Sequence, residues 1–412
     1  MRLPFLVLAM LLSAPAAGQS LDPAVKARID RILRKTPLID GHNDLAWELR
    51  DSRASSVAGL ASGTNRGEKP LMTDMERLRA GRVGGQFWSV YIDGETKGDE
   101  AIRQTIEQID IVHRLVAAYP RDLALARTAD DMVRAHKAGR IGSLIGVEGG
   151  RQIGGSMAAL RSFYDLGARY MTLTHNQTTE WADAATDEAR HDGLAPFGVA
   201  VVREMNRLGM LVDLSHVAPQ TMRHAIGVSR APVIFSHSGA RGVDAHPRNV
   251  PDDVLRLLPA NGGVVMVNFF NVFVSNEAWA WAAAQAGEEA RLKMMHRDNA
   301  GAAATALKAW EAANPRPRVT VAQVADHVEH IARVAGRDHV GLGGDLDGIP
   351  YTPEGLEGVD GYPVLLAELI RRGWSDSDIA KFAGGNILRA LRRAEVVAAS
   401  MRDMPPALDK PS

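Results

Sequence analysis

Ser143-Leu144-Ile145-Gly146-Val147-Glu148-Gly149-Gly150 closes a short apolar run with an acidic side chain and then two glycines. A run of this length, bounded by glycine, reads as a strand buried on both faces, and such strands belong to parallel sheets covered by helices. A carboxylate at the end of so apolar a strand is costly to bury unless it is paired or bound to a metal. Its two oxygens would let it bridge two cations about 3.5–4 Å apart. The competing reading is a helix N-cap, a role common for Asp and less so for Glu.

The same grammar recurs on either side. Residues 37–40, 87–91, 170–174, 211–214, 233–236, 263–267 and 339–343 are further short apolar runs, making eight in all. Amphipathic stretches such as 100–118, 156–166 and 321–335 lie between them. Strands alternating with helices indicate parallel βαβ units, and eight of them suggest a closed (β/α)8 TIM-like barrel. The alternative is a doubly wound open sheet, but no Gly-rich dinucleotide fingerprint follows the first strand. We read residues 19–405 as this single barrel domain and 406–412 as a polar tail. Residues 275–318 are Ala- and Trp-rich and helix-prone, a helical insertion between the seventh and eighth strands. Its place suits a lid or a contact in a non-covalent homodimer, and equally an ordinary helical excursion. Residues 361–402 read as closing helices.

Composition narrows the chemistry. The 412 residues carry 48 Lys+Arg against 49 Asp+Glu, a net charge of -1. Nucleic-acid binding would need a basic excess, so no such partner is expected. There is no cysteine, which excludes disulfides, thiolate ligands and a cysteine nucleophile. Any metal must therefore be held by His, Asp and Glu. At the N-terminus, Arg2 precedes an apolar run over 3–12 and the small residues 13–18. This is the pattern of a secretory signal peptide over 1–18, and it is shorter than the ~20 apolar residues of a spanning helix. An exported bacterial protein, periplasmic or secreted and without a stable membrane anchor, is the expectation.

Polar residues collect where the strands end. His42 and Asp44, Glu148, His175, His216, His237 and Asp345 all stand at the C-terminal ends of predicted strands, the face on which barrel active sites are built. His42 and Asp44 are two apart, so in a strand both point the same way; a strand-end His followed by an Asx turn is the plainer reading. His216 and His237 end consecutive strands. Singly each reads as a hydrogen-bonded histidine, but at equivalent positions the ligand reading is the better one. Asp345 is placed to point inward and handle a proton, whereas Asp347-Gly348 reads as a turn. His113, His327 and His330 fall on helical segments and read as packing or surface residues.

From about residue 37 to 393 these motifs resemble the membrane (renal) dipeptidase family of zinc metallopeptidases, in a bacterial exported form. The resemblance rests on Ile39-Asp40-Gly41-His42-Asn43-Asp44, on Leu144 through Gly150, and on Leu173-Thr174-His175-Asn176 with Trp181-Ala182-Asp183. It extends through Val233-Ile234-Phe235-Ser236-His237-Ser238, Arg248-Asn249-Val250-Pro251-Asp252-Asp253 and Gly343-Gly344-Asp345-Leu346-Asp347-Gly348.

The resemblance implies two zinc ions, one held by His42 and Asp44, the other by His216 and His237, with Glu148 bridging. It implies hydrolysis of dipeptides with a free C-terminal carboxylate by a metal-bridging hydroxide. His175 would contact the scissile carbonyl oxygen, Arg248 the substrate carboxylate, and Asp345 would carry the proton to the leaving amine. On the residues alone, Arg248 is equally a surface arginine, with Arg241 its rival. The mammalian relatives carry a GPI anchor and a disulfide, neither of which this sequence can form, and their counterpart of 275–318 is shorter. The alternative function is another binuclear barrel metallohydrolase acting on a cyclic amide, an N-acyl amino acid or a nucleobase.

Overall fold

The structure is a computed structural model that describes residues 21–67 and 69–409; the signal peptide expected over 1–18 lies outside them. Nine strands run in order: β1 (Leu38–Asn43), β2 (Val83–Val90), β3 (Leu123–Leu125), β4 (Ile141–Glu148), β5 (Ala168–Thr172), β6 (Leu211–Asp213), β7 (Ile234–Phe235), β8 (Val264–Val267) and β9 (Val340–Leu342). Eight close a parallel ring: β1 pairs with β2, β2 with β4, and pairing then continues in sequence until β9 returns to β1. The TIM barrel expected from the alternating pattern is the observed fold.

The eight barrel strands stand as expected, and a ninth strand lies outside them. β3 pairs with the first half of β4, Leu123 opposite Ile141 and Leu125 opposite Ser143. β5 takes up β4 only from Ile145 onward, so β3 is a spur outside the ring. Three residues without β-branching gave no periodicity to read.

Apart from β3, every strand residue is buried, as expected where helices sheathe one side and the barrel interior the other. Local signals set the helix starts. Ser156 caps Met157–Leu166 by accepting from Ala159 N, and Thr320 with Gln323 forms a capping box on Val321–Val334. Two glycines make room for the interior. A Cβ on Gly343 would clash with the Ser236 carbonyl, and one on Gly146 with the Tyr170 ring.

The segment between β8 and β9 folds as an antiparallel helical hairpin, Asn276–Met295 and Ala300–Ala313, in which Trp281 packs near Trp310 and its Nε1 donates to Asn314 O. Only Ala278, Leu292 and Ala303 of these helices are buried. Among the described residues no helix is long and apolar enough to cross a membrane.

Candidate metal centre

All eight residues singled out in the sequence meet at the C-terminal mouth of the barrel. His42 lies in β1 with Asp44 just past it, and Glu148 closes β4. His175, His216, His237 and Asp345 follow β5, β6, β7 and β9 within three residues, and Arg248 lies in the loop between β7 and β8. His216 and Asp345 hold left-handed backbone, φ 69° and 60°. Residues with a Cβ seldom adopt that conformation, and such strain gathers at functional sites.

Glu148 stands at the centre. Its Oε2 is 3.3 Å from His42 Nε2, and Asp44 Oδ2 is also 3.3 Å from that nitrogen. Its Oε1 lies 3.1 Å from His216 Nε2, 3.4 Å from His237 Nε2 and 3.8 Å from His175 Nε2. One carboxylate thus divides its oxygens between two sets of donors.

A supporting layer aims the imidazoles. Tyr170 Oη donates to Gly41 O (3.2 Å) and so accepts from His42 Nδ1 (2.8 Å). Ser236 Oγ donates to Asp213 Oδ2 (2.6 Å) and accepts from His237 Nδ1 (2.8 Å). In both rings Nδ1 carries a proton, so the ring in its neutral form turns its Nε2 lone pair toward Glu148, as metal-ligating histidines are usually arranged. Tyr170, Ser236 and Asp213 were not singled out in the sequence, because nothing in the chain marks which side chain each one faces across the barrel.

Electrostatics fit the same arrangement. Burial holds His216 and His237 well below the usual histidine range, and His175 at about 4, so all three are neutral imidazoles near pH 7. Burial also disfavours charge on His42, but Tyr170 and the Glu148 and Asp44 carboxylates outweigh it and hold its pKa well above ordinary. This point in the molecule demands positive charge. His42 Nε2 and Asp44 Oδ1 are buried without a hydrogen-bond partner, a penalty of about 1–3 kcal/mol apiece. Imidazole nitrogens and carboxylate oxygens without thiolates are a donor set suited to divalent cations such as zinc.

Asp345 and Arg248 line the same cavity, of about 260 Å³, whose apolar wall is Trp47, Tyr91, Phe270, Phe273 and Ile349. That volume suits a small molecule rather than a polymer. Arg248 is fully buried, donating to Ser238 Oγ (3.3 Å) and His237 O (3.2 Å) while its Nε has no partner. Burial lowers its pKa to about 10, so it stays cationic at neutral pH. Arg241 instead bonds the backbone oxygens of Pro247 and Asn249, bracing the loop. His327 bridges Ala240 N and Val274 O, and His113 bonds Leu166 O, consistent with packing roles.

The family model described as membrane dipeptidase (peptidase family M19) matches residues 26–404. The chain belongs to this family of metallopeptidases and is a metallo-dipeptidase by class. A curated relative, the dipeptidase verJ of Clonostachys rogersoniana, is 40% identical over 384 residues, spanning 90% of this chain and 88% of that protein. The fold is shared with the probable dipeptidase PvdM of Pseudomonas aeruginosa (TM-score 0.77, 21% identity, 91% of this chain and 99% of that one). It is also shared with a metallopeptidase of Rhodobacter sphaeroides liganded with a phosphinate mimic of the dipeptide L-Ala-D-Ala (TM-score 0.72, 22% identity, 87% and 99%).

Proposed function

We propose that the chain hydrolyses dipeptides bearing a free C-terminal carboxylate, using two zinc ions. One ion would be held by His42 and Asp44, the other by His216 and His237, with Glu148 shared. The observation that carries this reading is the division of the Glu148 oxygens, Oε2 toward His42 and Oε1 toward His216 and His237. When bound, such a pair of cations supplies Lewis acidity and a water acidified to near pH 7.

The chain's own residues do the rest. Neutral His175, beside Glu148 at the cavity wall, offers an N–H to the carbonyl oxygen as it gains negative charge, a contact typically worth about 3–4 kcal/mol. The unpartnered side of Arg248 receives the planar carboxylate of the substrate. Asp345, on the same cavity, carries a proton to the leaving amine. The aromatic wall excludes water from the reacting bond. An exported location is proposed on the pattern of residues 1–18 alone, and any homodimer would be non-covalent, since the chain has no cysteine.

The test is a dipeptide panel run beside the same dipeptides amidated at the C-terminus, on enzyme whose metal content is measured. Turnover confined to the free acids, with zinc bound, is expected. Equal turnover of the amides would move the chain to the wider class of barrel amidohydrolases.

A further inference from the structure

The helical hairpin between β8 and β9 touches the barrel at its first turn, and the loop it meets there is the one that carries Arg248. Asn276 Oδ1 accepts from Ala245 N (3.0 Å), and its Nδ2 donates to Val243 O (3.1 Å). One amide thus grips both sides of the loop's peptide chain. Three residues on, Trp279 sets its ring edge-on to His246, centroids 4.9 Å apart at 68°. Just before the hairpin, Phe273 packs on the same imidazole at 4.5 Å and lies 5.2 Å from the Arg248 guanidinium. The Phe273 carbonyl accepts from Asn249 Nδ2 (2.8 Å).

His246 passes these contacts inward. Its Nδ1 accepts from the Arg248 backbone N–H (3.1 Å), and its own N–H bonds Asp244 Oδ1 (2.9 Å). With the backbone of Arg248 anchored to that ring, the side chain needs only two weak bonds, to Ser238 Oγ and His237 O, to reach the cavity. The guanidinium therefore keeps donors open without support from a salt bridge of its own.

We infer that the start of the insertion is a positioning device for substrate recognition. Trp279 and Asn276 hold His246 and the 243–249 loop so that Arg248 meets the carboxylate of the dipeptide. None of the three lines the cavity shared by Arg248 and Asp345, and each acts through Arg248. The inference rests on the reading of Arg248 given above. It also accounts for the sparse burial of the rest of the hairpin: the functional contact is made in its first turn.

The measurement is calorimetric binding of a phosphinate Ala-Ala mimic, as the free acid and as the C-terminal amide, to the metal-loaded protein. Trp279→Ala and His246→Ala should weaken the free acid about tenfold and leave the amide within about twofold. Trp279→Phe should restore most of the loss, since a smaller ring still meets His246. In an Arg248→Ala background Trp279→Ala should have no further effect, the non-additivity expected of residues acting on one another. If Trp279→Ala weakens acid and amide alike, or adds its full effect to Arg248→Ala, the inference is wrong while the role of Arg248 stands. If Arg248→Ala itself leaves the acid-to-amide ratio unchanged, the carboxylate reading fails, and the positioning role with it. Unchanged thermal midpoints in the variants separate these outcomes from misfolding.

Discussion

The Nε2 atoms of His216 and His237 face each other at 2.9 Å, and both approach the same oxygen of Glu148. The proton of His237 is committed to Ser236 through Nδ1, so its Nε2 brings a lone pair to this contact. Two nitrogens and a carboxylate oxygen converging this closely are what the proposed coordination set requires, with Glu148 common to its two halves.

On the two-ion reading proposed above, Glu148→Ala should release both metals together rather than one. Metal analysis of the dialysed variant checks this, and full occupancy would remove Glu148 from the bridging position. His42→Ala, by contrast, should empty only the half shared with Asp44 at moderate metal concentration.

Asp345→Asn should retain metal, because the ligands assigned here do not include Asp345, yet lower kcat by about 10²–10⁴, the usual contribution of a positioned proton carrier. Steady-state kinetics beside metal analysis decides it. Unchanged kcat would take Asp345 out of the reaction.

Tyr170→Phe and Ser236→Ala each remove the group that sets a histidine's proton on Nδ1. Each should weaken metal binding about 10–100-fold, Ser236→Ala at the half containing His237 and Tyr170→Phe at the half containing His42. Competition with a chelator reads both, and equal affinity in variant and parent would show the imidazoles oriented by packing alone.

Stability should fall in mild acid, with His327 contributing. Burial holds its pKa at about 4; its Nδ1 accepts from Ala240 N and its Nε2 bonds Val274 O. In the unfolded chain the ring titrates near pH ~6.5. Between those values the unfolded state takes up a proton that the folded state refuses. Its contribution is complete above pH ~6.5 and is lost at about 1 kcal/mol per pH unit as the pH falls toward 4. Urea denaturation at pH 7 and pH 5 should show a shallower loss for His327→Asn than for the parent.

Much of this site could be read from the chain before any coordinates. Parallel strands in a barrel are apolar throughout, so a polar residue at a strand end stands out, as Glu148 does after Val147. His42, His216 and His237 stood out for the same reason. β3 did not, since three residues pairing with half a strand leave no period. Neither did Tyr170, Asp213 and Ser236, whose roles depend on which side chain lies across the barrel. The contact of Trp279 with His246 was equally hidden: in sequence it is a tryptophan on an Ala-rich helix, and only the fold brings it to the loop of Arg248.

The ring is sealed where β9 returns to β1, and there Asp40 Oδ1 accepts from Gly344 N across 304 residues of chain. The proposed ligands are spread around that ring, on four different strand ends, so no fragment shorter than nearly the whole barrel can assemble them. If the chain is exported in extended form, as proposed from residues 1–18, it can carry no metal with it. The compartment in which it folds would then supply its ions, and activity there would follow the local metal supply.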